Sequence, residues 1–216
     1  MRRALRNNAL SIVLFALFFV FLAGQSVAGH RVFNEEQVEH GSPEISFTSY
    51  LTEGHFVEAT FENWESEFLQ MFAFVLLTVY LVQRRSPESR PLDDDDEDLD
   101  ADMGPDSPAA VRAGGWRRAL YSHSLTAVLG LLFLASLLLH SLGGAQVAGD
   151  EAEDHRQPRP AYVEYVTGSQ FWFESLQNWQ SEFLAVGALV VLSIFLREKN
   201  SPESKQVAEP HDKTGG

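Results

Sequence analysis

Two glutamates could do chemistry in this chain, and each sits in the same short setting: Asn63-Trp64-Glu65-Ser66-Glu67-Phe68 and Asn178-Trp179-Gln180-Ser181-Glu182-Phe183. At helical spacing Asn63, Ser66 and Glu67 share one stripe, as do Asn178, Ser181 and Glu182, with Trp64 and Trp179 on a neighbouring flank. Carboxylate and amide oxygens are what hard cations prefer, so these stripes could build a cation or proton site. A plainer reading covers the same residue types. Asparagines cap helix N-termini, glutamates favour the positive end of the helix dipole, and Trp64 and Trp179 anchor at a lipid–water interface. Because capping accounts for every position in the motif, it takes precedence at this level.

The elements that must position these residues are visible in a longer echo. The two motifs lie 115 positions apart (178 − 63), as do Ser86-Pro87-Glu88-Ser89 and Ser201-Pro202-Glu203-Ser204. Arg2-Arg3-Ala4-Leu5 and Arg117-Arg118-Ala119-Leu120 keep the same spacing. The chain therefore reads as a tandem duplication of a unit of about ninety residues. The segment Gly24 to Gly29 answers to Gly144 to Gly149 at a spacing of 120, which implies five residues gained in the second copy and lost again before Tyr165 and Phe171, the counterparts of Tyr50 and Phe56.

Four apolar runs carry the chain's hydrophobic character: 10–28, 64–82, 125–142 and 179–196, none with a lysine, arginine or aspartate. Each approaches the roughly 20 residues that span a bilayer core, and in lipid only helices satisfy the backbone within one segment. The expectation is an all-α integral membrane protein with four transmembrane helices, arranged as two parallel two-helix repeats. The runs from Trp64 and Trp179 are the shorter ones, continuously apolar only from Phe68 and Phe183. Arg2, Arg3 and Arg6 before the first run resemble a signal peptide ending at Ser26-Val27-Ala28. Its counterpart at 125–142 is internal, so the duplication favours a retained helix.

Charge orients these helices. Of the 16 basic residues only Arg31, Arg156 and Arg159 lie outside the termini and the centre, so the positive-inside rule puts both termini and the 91–115 linker in the cytoplasm of a multi-pass cell-membrane protein. The units are a first repeat (1–90), an acidic linker (91–115), a second repeat (116–205) and a tail (206–216). The run Asp93 to Asp98 marks the linker as disordered, with a basic protein as its conceivable partner, and the tail is read as disordered too.

The outer loops are acidic and aromatic, and 58–68 and 171–183 read as interfacial helices. His30, His40, His55 and His155 lie there without recognised ligand spacing, and His140 stands among leucines at the end of the third run. Gly24-xxx-Ala28 and Gly144-xxx-Ala148 have the small-xxx-small spacing of close helix packing. The chain has no cysteine, and no nucleophile, base and orienter share a recognisable spacing, so neither an enzyme nor a cofactor is expected. Nor is a nucleic-acid partner; the bilayer and further copies of the chain are the expected partners.

Together Gly24 to His30, Phe33 to Gln37, Asn63 to Phe68, Gln83 to Ser89, Ala113 to Arg117, Tyr121 to Leu125 and Asn178 to Leu184 carry a resemblance. The chain resembles a domain-of-unknown-function family of small bacterial integral membrane proteins, and departs from its pattern at Asp150 to Arg156. The resemblance implies membrane location and supplies no activity, substrate or catalytic residue. Two functions follow as expectations: a structural or accessory protein of the cell envelope, or a small cation or proton transporter using Glu67 and Glu182 near a pseudo-twofold axis, with oligomerisation completing its pathway.

Overall fold

Unbroken apolar runs without proline should propagate as helix, and every regular element among the described residues, 6–90 and 104–215 of this computed structural model, is α-helical. Arg2, Arg3 and the acidic run 93–102 lie outside the described residues. The helices are α1 (Ala9–Glu39), α2 (Phe47–Tyr50), α3 (Gly54–Tyr80), α4 (Ala109–Ala113), α5 (Gly115–Ser122), α6 (Ser124–Asp154), α7 (Tyr162–Thr167) and α8 (Ser169–Phe195).

α1 and α6 each hold 31 residues, α3 and α8 each 27. Every bound of these four recurs at the offset of 115. The five-residue gain inferred from the glycine-rich segments is therefore corrected: α1 and α6 are equally long. Helices of 31 residues reach about 46 Å at about 1.5 Å per residue, well beyond a hydrocarbon core of about 30 Å. Both run on past their apolar stretches into the polar residues that follow.

α1, α6 and α8 are long and apolar enough to cross a membrane. α3, expected as a fourth span over 64–82, is not among them, since its first half carries Glu58, Glu62, Glu65 and Glu67 where α8 carries Glu174 and Glu182. Expected separate interfacial helices at 58–68 and 171–183 are instead the first halves of α3 and α8, because neither stretch contains a helix breaker.

Burial is inverted relative to a water-soluble protein. Phe15, Phe21 and Leu184 are 64%, 68% and 74% exposed, whereas Ser26, Ser136, Ser141, Ser175 and Ser193 are buried. Large apolar side chains outside and small hydroxyl residues inside are what lipid as solvent selects, because small residues let backbones approach and dispersion replaces the hydrophobic drive.

The described chain divides into two compact units, Met1–Phe61 with Leu139–Phe171 and Glu62–Leu138 with Trp172–Gly216. In the first, Tyr50 and Tyr165 fill matching places. The Tyr50 hydroxyl lies over Gly29 and that of Tyr165 over Gly144, each too close for any Cβ there. Their rings meet Phe56 and Phe171 edge-on at 5.6 Å in both cases. Gly29 thus corresponds to Gly144, which restores the offset of 115.

The loop after α1 is tied down by Asn34, whose Oδ1 accepts the Ile45 N–H at 2.9 Å, and by His30, whose Nε2 donates to the Ile45 carbonyl at 2.8 Å. After α6 a different device appears: Arg159 pairs with Asp150 at 2.5 Å and Glu153 at 3.0 Å. Backbones of α3 and α6 touch at glycine. A Cβ on Gly143 would sit 2.5 Å from the Glu58 nitrogen, and one on Gly54 2.9 Å from the Gly143 carbonyl. A Cβ on Gly144 would also meet a Glu58 carboxylate oxygen at 2.6 Å, and Ala148 is half-buried. Gly24 has nothing within 4 Å and Ala28 is exposed, so among the described residues the first small-xxx-small pair packs no helix.

In the second unit α3 from Glu62 and α8 from Trp172 run side by side. Gly130 of α6 takes the Phe72 ring, whose Cε2 would be 3.2 Å from an added Cβ. The Ser-Pro-Glu-Ser loops close alike: the Ser89 hydroxyl accepts the Gln83 N–H at 3.0 Å, and that of Ser204 accepts the Glu198 N–H at 2.9 Å. Residues 206–215, expected as disordered, turn back onto this unit. Gly215 N–H reaches the Ser86 carbonyl at 3.0 Å, and the buried Lys205 ammonium donates to the His211 carbonyl at 3.1 Å.

Candidate functional site

The repeated motif lies inside α3 and α8, not at their starts. Those helices begin at Gly54 and Ser169, so Asn63 and Asn178 have helix on both sides and cap neither N-terminus. The capping explanation is corrected by this, and with it the helix-dipole role of Glu67 and Glu182, since a dipole acts within the first turn.

Ser66 and Ser181 take the same local role. Each hydroxyl donates to the carbonyl three residues back, that of Asn63 at 2.9 Å and of Asn178 at 2.8 Å. Such back-bonding satisfies the hydroxyl within its own helix.

The remaining polar groups join α3 to α8 in the second unit. Asn178 Nδ2 donates to Glu62 Oε1 at 2.6 Å, the Trp179 indole N–H donates to Glu65 Oε1 at 2.9 Å, and the Glu67 and Glu182 carboxyls lie beside each other. Partners rise together along both helices, so the two run parallel. Glu67 remains exposed, Glu182 half-buried.

Trp179, expected as an interfacial anchor, is packed in. Its ring meets Phe133 at 6.2 Å and Trp172 at 6.2 Å, both edge-on. Trp64 is half-buried on α3, and Asn63 is exposed.

Glu62 and Glu65 were missed by sequence reasoning, though Glu65 is wholly buried. A signal was available. At the offset of 115, Glu62 stands against Gln177 and Glu65 against Gln180, carboxylates against amides.

In the first unit His140 is fully buried, as expected of a histidine facing a bundle interior, with its ring 5.1 Å from Phe171. Glu58 brings a carboxylate oxygen within 4.8 Å of an imidazole nitrogen of His140. His55 hydrogen-bonds through Nδ1 to the Tyr50 hydroxyl at 3.0 Å. Burial, and then Glu36, push the Tyr50 phenol above its ordinary range.

A search of curated proteins and a search of solved structures each return no match for this chain. With its membrane-fit helices and buried polar joint in view, one family accounts for the whole sequence: over residues 1–216 the chain belongs to the family described as Domain of unknown function (DUF6766).

Proposed function

We infer that this is a four-span protein of the cell membrane, built from two copies of a two-helix unit in the same orientation, serving as a structural or accessory component of a bacterial envelope. The observation that carries this reading is the fate of Asn178 and Trp179 in the motif, which are spent joining α8 to α3 through Asn178–Glu62 and Trp179–Glu65. Matching helix lengths at the offset of 115 support the duplication. So does the meeting of Glu67 with Glu182, since across a twofold axis a residue contacts its own counterpart only beside that axis. α3 completes the four spans in this reading, its acidic first half placed at the outer interface and Phe68 to Val82 in lipid. A periplasmic reporter fused after Gly104 should be inactive; activity there would reverse the cytoplasmic placement of the linker and both termini.

One observation favours a second reading. An exposed carboxyl beside its counterpart suits a proton or cation pathway completed by oligomerisation. Reconstituted protein distinguishes the two: the structural reading expects no proton or cation flux above empty vesicles. Flux that disappears in Glu67→Gln with Glu182→Gln would establish the transporter instead.

A further inference from the structure

The short helix α5 is two-sided. At about 100° per residue Trp116, Ala119 and Leu120 gather on one side, and Arg117, Arg118 and Tyr121 on the other. No residue of α5 is buried, and Trp116 and Leu120 are 72% and 61% exposed. A helix of two turns is marginal in water, so an apolar side this open needs a cover to hold it.

Charge and position both say what the cover is. Arg112, in the last turn of α4, adds a third positive charge, and Gly114 and Gly115, at φ +67° and +56°, turn the chain between the two helices. From Ser107 to Gly149 the sequence holds no aspartate or glutamate. Among the described residues no ion pair engages Arg112, Arg117 or Arg118. The Arg117 guanidinium carbon lies 5.6 Å from the centre of the Trp116 ring, which holds that charge at the edge of the apolar side. Arginines opposite an indole and a leucine fit an anionic bilayer surface, phosphates on one side and acyl chains on the other. Only His123 separates α5 from α6, whose apolar run begins at Leu125. With α6 in lipid, α5 lies within about a turn of the hydrocarbon edge, the depth at which indole rings and arginine stems settle.

We propose that α5 lies along the bilayer surface at the start of α6, with Trp116, Ala119 and Leu120 in the acyl boundary and Arg112, Arg117 and Arg118 on the phosphates of anionic lipids. This placement rests on α6 crossing the bilayer and is independent of the joint between α3 and α8. Each arginine at an anionic surface favours attachment about fivefold, so lipid charge and these three side chains together set how much of α5 is attached.

The chain has no cysteine, so a nitroxide on Ala119→Cys reports on the apolar side and one on Tyr121→Cys on the other. The full chain is reconstituted in vesicles of equal parts phosphatidylcholine and phosphatidylglycerol. There the label at 119 should collide more often with oxygen, which partitions into lipid, than with a water-soluble nickel chelate, and the label at 121 the reverse. In pure phosphatidylcholine, or with Arg112→Gln, Arg117→Gln and Arg118→Gln together, the attached population at 119 should fall about tenfold or more relative to the free one. Should the arginine variant fail to fold by circular dichroism, Trp116→Ser, which leaves every charge in place, carries the test and should lower the same population. A label on Leu131→Cys, at an exposed position in the apolar run of α6, separates the two readings. If that label meets the chelate rather than oxygen, the membrane span and the placement of α5 fall together. If it lies in lipid while 119 and 121 meet the chelate equally, the placement of α5 alone is overturned. A label at 119 shielded from both reagents, which marks a protein partner, or attachment indifferent to lipid charge and to the arginines, would overturn it too.

Discussion

Replacing Trp179 by phenylalanine keeps an aromatic ring against Phe133 and Trp172 while deleting the N–H that Glu65 accepts at 2.9 Å. Two magnitudes compete. Interhelical hydrogen bonds in membranes average about 0.6 kcal/mol, whereas bonds to a charged acceptor contribute about 1.5–3 kcal/mol. Glu65 is wholly buried, so its carboxylate depends on protein donors, and the larger range governs. Trp179→Phe should therefore cost about 2 kcal/mol. In a Glu65→Gln background the amide oxygen still accepts the indole, as a neutral group, and the same change should cost only about 1 kcal/mol. The assay is reversible unfolding of the reconstituted chain by SDS, followed by circular dichroism, as a double-mutant cycle. A coupling below about 0.3 kcal/mol would refute the joint, because residues that do not interact are additive to that level.

Three further outcomes are expected. Gly143→Ala should destabilise by about 1–3 kcal/mol, because its Cβ would meet the Glu58 backbone, which cannot rotate aside; Gly24→Ala, facing open space, should stabilise by about 0.5–1 kcal/mol, both read by the same unfolding assay. Glu88 is pushed above the ordinary carboxylate range by burial and then by Glu203. As pH rises through that range the unfolded chain releases its proton first, so stability falls; Glu88→Gln should remove this loss and be more stable than the parent near neutral pH, with no advantage in acid. Arg159→Ala should leave the urea or SDS unfolding midpoint essentially unchanged, with and without added salt, since its bonds to Asp150 and Glu153 are exposed and screened.

Much of this architecture is legible in residue order. Apolar runs without breakers are helices in any solvent, which is why α1, α6 and α8 emerge near their expected places. The helix starts are less legible: α3 and α8 begin nine residues before Asn63 and Asn178, in aromatic stretches whose polar residues obscure the apolar period. The register error has a comparable cause. Gly-Gln-Ser-Val-Ala-Gly matches in letters at 120, whereas the demand for a side-chain-free surface beneath Tyr50 and Tyr165 selects Gly29 and Gly144 at 115.

From sequence alone came the helical class, the fitness of long segments for lipid, and a pairing of Glu67 with Glu182 as counterparts, because periodicity and offset are properties of one dimension. Which atoms those segments bring together is a property of three. Tertiary packing decided that Asn178 and Trp179 meet Glu62 and Glu65, that Ser66 and Ser181 turn inward to their own backbones, and that His40, His55 and His155 share one cavity. Donors and acceptors find partners by helix register and rotation, and a shift of one residue turns a side chain about 100° around its helix.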